Sequence, residues 1–147
     1  MKFTLYHGIE DISASVLYDI LKLRQDIFIV EQNCVYEDID GLDNASQHLL
    51  LTIGDELIAY SRIVPPKVKY EEISIGRIVV KKSHRGKGYG KKIVQQSIRQ
   101  IDEEGHQSIR IEAQAHLLSF YNDLGFEAAG DTYILDGIPH IEMLQNL

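Results

Sequence analysis

One cationic, glycine-rich stretch has the residue types and spacing to do chemistry: Arg77-Ile78-Val79-Val80-Lys81-Lys82-Ser83-His84-Arg85-Gly86-Lys87-Gly88-Tyr89-Gly90-Lys91-Lys92. It reads as an apolar strand, a basic loop and the start of a helix. Glycines let a backbone approach a ligand closely and reach φ > 0 without a Cβ penalty. The unpaired N–H groups and the positive dipole end of a following helix then face an anion. Six Lys/Arg residues and one histidine fall between positions 81 and 92, although the formal charge of the whole chain is −7. Cation concentrated at one place in an acidic protein implies a specific anionic ligand, and this arrangement suits a polyphosphate. The plain alternative is a solvated lysine-rich turn; the charge asymmetry argues against it.

Three glycine-loop chemistries compete for the stretch. A P-loop needs G-x-x-x-x-G-K-[ST]. Gly86 and Gly90 are one residue too close for it, and Lys92 stands where a metal-binding hydroxyl belongs. A dinucleotide fingerprint needs G-x-G-x-x-G directly after a strand and an acidic residue about 20 positions on. Here the spacing is G-x-G-x-G, and five polar residues separate Val80 from Gly86, although Glu112 lies near the acidic position. The third pattern fits: Arg85-x-x-Gly88-x-Gly90 matches [RQ]-x-x-G-x-[GA], and downstream Tyr121-Asn122-Asp123-Leu124-Gly125-Phe126 matches Y-x-x-x-G-F. In order and at this spacing, the chain resembles the GNAT acyltransferases. Its first half carries a further likeness to the ElaA-type subgroup of that family. Leu21 to Gln32 is similar to L-R-x-x-V-F-x-V-E-Q, and Tyr36, Asp38, Asp40, Asp43, His48, Glu112-Ala113-Gln114-Ala115-His116 and Asp136-Gly137-Ile138-Pro139-His140 also fit. Many members of the family carry Asn seven residues before the tyrosine, where this chain has Gln114.

The elements that must position these residues are readable from periodicity. Phe3 to Tyr6 is a short strand. Val16, Leu17, Ile20, Leu23, Ile27 and Phe28 repeat at helical spacing over 12–30, with Asp11 or Ser13 as the cap. Residues 33–46 are polar and irregular, and Gly54-Asp55 joins strands at 49–53 and 57–64 as a hairpin. A strand over 73–80 leads into the loop, and a helix over 89–104 presents Ile93, Val94, Ser97, Ile98 and Ile101 on one face. A strand at 108–112, a helix at 115–124 and strands at 126–135 and 140–145 complete the order. The 147 residues form one domain of α/β class. The resemblance implies the GNAT fold, a mixed central sheet flanked by helices. The single Cys34 excludes an internal disulfide framework and suits a reducing cytoplasm. No run approaches the ~20 apolar residues of a membrane span, and the acidic balance disfavours nucleic acid as a partner.

The resemblance also assigns roles. Backbone N–H groups of Arg85, Gly86, Lys87, Gly88, Tyr89 and Gly90 would hold the pyrophosphate of acetyl-CoA, with charge added by Arg85 and Lys87. Ile78, Val79 and Val80 would supply the strand against which its pantetheine arm lies, Ile78 and Val80 pairing with it through their backbone groups. Gln114 would be a further contact. Such an enzyme moves the acetyl group directly to an amine, Tyr121 protonating the leaving thiolate. An ordinary phenol remains protonated at pH 7. Candidates for removing the amine proton are Glu31, Glu112, His48 and His116. Carboxylates between Glu31 and Asp43 imply an acidic wall and a cationic small molecule or peptide as acceptor. The Asp38-x-Asp40-Gly41 segment fails the register of a calcium loop, and the histidines lack zinc spacing, so no metal is expected. The state expected is a monomer or homodimer. A non-catalytic CoA sensor and a nucleotide-binding module are the rival readings.

Overall fold

The computed structural model describes residues 1–147. Strand β1 (Lys2–Tyr6) precedes helix α1 (Ala14–Arg24), then come β2 (Gln47–Ile53), β3 (Glu56–Val64) and β4 (Ser74–Val80). Helix α2 (Tyr89–Glu103), β5 (Ser108–Gln114), α3 (Leu118–Asp123), β6 (Glu127–Ala128), β7 (Tyr133–Leu135) and β8 (Ile138–Asn146) follow. Ser13 is the cap of α1, its Oγ accepting from the Val16 N–H at 3.3 Å. The helix does not stop at Arg24. It widens into a π-helical segment, Gln25–Glu31, where Gln32 N–H donates to Ile27 O and Cys34 N–H to Ile29 O, both five residues back at 3.1 Å. The single helix expected over 12–30 is therefore two coils of different pitch, and wide turns of this kind recur at functional sites.

Strands β1 to β4 form one antiparallel sheet in chain order, and β5, β8 and β6 form another, with β7 paired to β8. The halves meet through a parallel contact between Ile73 and Ile109, where Arg110 N–H donates to Ile73 O at 3.1 Å. Two hydrogen bonds from the Arg110 guanidinium to Glu72, at 3.0 and 3.2 Å, pin that junction. The sheet is thus mixed, as expected, and split. Beyond the junction β4 and β5 carry no ladder between them, and a cleft opens in the gap.

Side-chain alternation along β4 feeds both faces of its sheet. Val79 packs with Ile20, Leu23, Leu50 and Tyr60 under α1, whereas Ile78 and Val80 pack on the α2 side with Ile93, Val94 and Ile101. The strand expected over 126–135 is broken into β6 and β7, and β8 begins at Ile138. The turn between β7 and β8 is Asp136-Gly137, with φ of 50° and 76°, the backbone a tight hairpin requires. No helix is long and apolar enough to cross a membrane.

Candidate active site

The cleft between β4 and β5 has a volume of about 1110 Å³, more than the usual range for a single small ligand. Its first wall is the free edge of β4. Lys81 N–H donates to Ile58 O at 2.8 Å, with Val80 opposite Ala59 and Val79 opposite Tyr60. Antiparallel hydrogen bonding alternates, so Val79 spends its backbone groups on β3 and those of Ile78 and Val80 turn toward the cleft. A bulge follows: between the pairs Tyr60–Val79 and Arg62–Gly76, Arg77 and Ile78 lie opposite Ser61 alone. Arg77 takes φ of 50° there. The bulge bends β4 away from its neighbour where the cleft widens.

The loop after β4 closes one end. Gly88 caps α2 with φ of 82°, a left-handed conformation that favours glycine. The N–H groups of residues 86–91 find no backbone acceptor; pairing resumes at Lys92, which donates to Gly88 O at 3.1 Å. Six successive donors at the positive end of a 15-residue helix form an anion cradle. Arg85, Gly86, Gly88, Tyr89 and Gly90 line the cleft, while Lys87 stands off its wall. Lys82, Lys87, Lys91 and Lys92 are not engaged in ion pairs, so their field is uncancelled at close range. Arg85 holds both carboxylate oxygens of Glu31, joining the loop to the end of the π-helical segment.

Tyr121 is fixed by the end of its own helix. Phe126 N–H donates to Tyr121 O and Gly125 N–H to Asn122 O, both at 3.0 Å. With Gly125 at φ of 99°, this is a Schellman motif. The apolar contact that accompanies such a motif is present, the Tyr121 and Phe126 rings meeting edge-on with centroids 6.0 Å apart. A Cβ on Gly125 would lie 2.5 Å from Gln145 Nε2. The Y-x-x-x-G-F pattern is therefore a helix stop that holds the tyrosine against the cleft. Tyr121 is 6% exposed and lines the cavity. Burial pushes its phenol up to about 12.

Along β5, Ile111 and Ala113 point into the core beside Tyr121, so Glu112 and Gln114 face the opposite side. Glu112 accepts from Lys69 Nζ at 3.0 Å and from the Tyr133 hydroxyl. Burial pushes its carboxyl up, but the hydrogen bond from Tyr133 and the Lys69 charge outweigh this and hold it below the ordinary range. Gln114 Nε2 donates to Gln32 Oε1 at 3.2 Å. His116 is exposed at the rim.

A family model described as an acetyltransferase (GNAT) domain matches residues 23–147. The chain belongs to the GNAT acetyltransferase family. Protein ElaA of Escherichia coli is 38% identical over 97% of this chain and 94% of its own. A UPF0039 protein of Synechocystis is 44% identical over 91% of this chain and 88% of its own. The crystal structure of an acyl-CoA N-acyltransferase from Pseudomonas aeruginosa superposes with a TM-score of 0.91 at 33% identity, covering 98% of both chains. By class this GNAT protein is an acyl-CoA-dependent N-acetyltransferase of the ElaA-like type.

Two expectations about the site require correction. His48 does not reach the cleft of this GNAT domain. It is 1% exposed, with Nε2–H donating to Asp43 O at 3.0 Å and Nδ1 accepting from the Tyr60 hydroxyl at 2.6 Å. Burial lowers its pKa, and with both nitrogens spent it is a structural histidine. Nor is the segment from Glu31 to Asp43 an acidic wall. Arg24 bonds Asp38 and Asp43 at 2.9 and 2.8 Å, Arg62 bonds Asp40 and Asp43 at 2.8 and 3.0 Å, and Arg77 reaches Asp38 and Asp40 at 2.8 and 3.2 Å. With Glu31 on Arg85, only Glu37 of the run lacks a cationic partner. The dinucleotide alternative also falls: the strand after the loop pairs antiparallel in its own sheet, and the Glu112 carboxylate is taken by Lys69 and Tyr133.

Sequence reasoning missed several residues that line the cleft. Gly76, a glycine inside a strand pattern, was a legible sign of the bulge that sets Arg77. Lys69 carried no such signal, and Gln32 and His140 stood only within the stretches that resemble the subgroup, without a role, because folding alone brings positions so far apart in the chain together. Cys34 also lines the cleft; its thiol donates to Asp136 O at 3.3 Å, tying the π-helical exit to the β7–β8 turn.

Proposed function

We propose that this enzyme transfers the acetyl group of acetyl-CoA directly to the primary amine of a small molecule or peptide. The observation that carries the reading is one continuous groove. It runs from the loop at Gly86, Gly88, Tyr89 and Gly90, whose N–H groups lack backbone acceptors, along the unpaired edge of β4, to Tyr121. That order suits a ligand with phosphates at one end, an amide-bearing arm in the middle and a reacting thioester at the far end.

Ile78 and Val80 hold the pantetheine as an added strand, and a β4 N–H polarises the thioester carbonyl, a donor worth ~3 kcal/mol in the transition state. The amine enters from the Glu112 face, opposite Tyr121. It arrives as an ammonium with a pKa near ~10.4 for a lysine-like group. Glu112 accepts its hydrogen bond and passes one proton to water. Nitrogen attacks the carbonyl carbon, the C–N bond forms and the C–S bond breaks. The thiolate takes its proton from Tyr121, the amide nitrogen loses its second proton, and that proton restores the phenol. Glu31 is held on both oxygens by Arg85 at the phosphate loop, and His116 is exposed at the rim. The Glu112 carboxylate, by contrast, is half-buried on the acceptor side, tied to Lys69 through one partly exposed contact. Glu112 is therefore the preferred proton acceptor.

The test is CoA release from acetyl-CoA with a panel of polyamines, amino acids, aminoglycosides and lysine peptides, beside calorimetry with CoA, NAD and ATP. Turnover with at least one amine and binding of CoA over NAD and ATP are expected. CoA binding without turnover on any amine would turn the reading toward a sensor.

A further inference from the structure

Two carboxylates of the cleft lining, Glu37 and Asp136, are exposed and unpaired, whereas its cationic side chains are all engaged, the weakest of them on the acceptor face. Arg77, Arg85 and Lys69 are the Lys/Arg side chains that line it. Arg77 is fixed between Asp38 and Asp40, and Arg85 belongs to the phosphate loop. Lys69 lies on the connection between β3 and β4 with its side chain 31% exposed; it touches one carboxylate oxygen, Glu112 Oε1, at 3.0 Å and sits over the Tyr70 ring, 5.5 Å from its centroid. An ammonium has three donors, so most of its capacity is unused. The other Glu112 oxygen is held from behind by Tyr133, whose ring stacks on His140 with centroids 6.3 Å apart. The pair is thus rigid on its anionic side and loosely tethered on its cationic side.

We propose that the acceptor is a zwitterion, a free amino acid whose ammonium replaces Lys69 on Glu112 and whose carboxylate is taken by Lys69. The argument is one of pairing. A partly exposed, single-contact ion pair is weakly held and exchangeable. A purely cationic amine would satisfy Glu112 but strip Lys69 of its partner and set two positive charges side by side, and like charges at close range repel. A zwitterion satisfies both groups and leaves the local charge unchanged. It also sets the amine on the face of β5 opposite Tyr121, where the thioester would be attacked. The proposal rests on the acetyl-transfer reading above.

Matched acceptors test it: a free amino acid, its carboxamide, and the amine lacking the carboxyl group, each assayed for CoA release at saturating acetyl-CoA. The free amino acid should exceed both partners in kcat/KM by about tenfold or more, since a site built to pair a charged group discriminates against its absence. Lys69→Met should bring the free acid down toward the carboxamide and erase the preference, and Lys69→Arg should retain it. Equal use of carboxamide and free acid by the unaltered enzyme, or a preference that survives Lys69→Met, overturns the proposal while acetyl transfer stands. CoA bound in calorimetry but released from acetyl-CoA with none of the amines overturns the acetyl-transfer reading and the proposal together.

Discussion

The acidic stretch from Glu31 to Asp43 and the basic stretch from Lys81 to Lys92 are counterparts in sequence and opposites in the fold. Asp38, Asp40 and Asp43 meet Arg24, Arg62 and Arg77, which come from α1, β3 and β4. In the basic stretch Lys82, Lys87, Lys91 and Lys92 are left outside the ion pairs, and the N–H groups of residues 86–91 have no acceptor. The first stretch is structural because its counter-charges return from elsewhere in the chain. The second is free to act because, beyond Glu56 on Lys81 and Glu31 on Arg85, they do not. A run of like charge becomes a binding surface only where the topology leaves it uncancelled.

Breaking the structural stretch should produce the largest effect. Asp43 accepts from Arg24 at 2.8 Å and from Arg62 at 3.0 Å. Asp43→Ala leaves two buried guanidinium groups short of a partner and should cost about 3–5 kcal/mol in urea unfolding. Arg85→Ala, which breaks a half-exposed pair, should cost about 0–1 kcal/mol. Equal losses would dissolve the contrast. Acid sharpens the same point. Burial pushes Asp40 and Asp43 up, but Arg62 and Arg24 outweigh it and hold both below the ordinary carboxylate range. Their contribution is therefore present above the unfolded value of about 4 and lost as pH falls through the folded ones. Stability should drop below about pH 4, and Asp40→Asn should flatten that slope in unfolding curves taken across the acid range.

These two regions also mark what sequence could reveal. The loop, α2, the Gly54-Asp55 hairpin and the Tyr121 motif are local; each follows from glycine placement or apolar period within a short window. The pairing of Arg24 with Asp38 and Asp43 spans the π-helical segment and an irregular connection, so no period predicts it. A π-helical turn differs from an α-helical one by one residue per hydrogen bond, and the apolar pattern through Ile27 and Phe28 suits both. The acidic run read as a surface because its arginine partners lie on other elements. Lys69 and Glu112, 43 residues apart, become neighbours only once β4 and β5 part.

Within the active region, chemistry should be more sensitive than binding. Tyr121→Phe keeps the ring and its contact with Phe126 while removing the donor, so kcat should fall ~10²-fold with CoA affinity little changed. With the phenol pushed up to about 12, kcat/KM should show no falling alkaline limb from this group between pH 7 and about 10. A kcat unchanged under conditions where chemistry limits the rate would remove Tyr121 from the mechanism. Arg85→Glu should weaken CoA roughly tenfold in calorimetry, more so at low salt, because the contact is partly exposed. Unchanged affinity would return the loop to the structural class of the acidic stretch.

The smallest effect separates two glycines in the same loop. Gly88 sits at φ of 82°, where a Cβ costs about 1–2 kcal/mol in backbone strain. Gly90 is the second residue of α2 and is not in the left-handed region; a Cβ there would lie 3.6 Å from Val80 Cγ2 and 3.8 Å from Phe120 Cζ, ordinary contact distances. Alanine also favours a helix over glycine by up to ~1 kcal/mol. Gly90→Ala should therefore hold or slightly raise stability and change CoA affinity by less than about twofold, since its N–H remains in the cradle. Gly88→Val should weaken CoA clearly, because the left-handed turn that aims the donors is lost. If Gly90→Ala weakens CoA as much as Gly88→Val, the cradle is set by the space the ligand needs at Gly90 rather than by backbone conformation at Gly88.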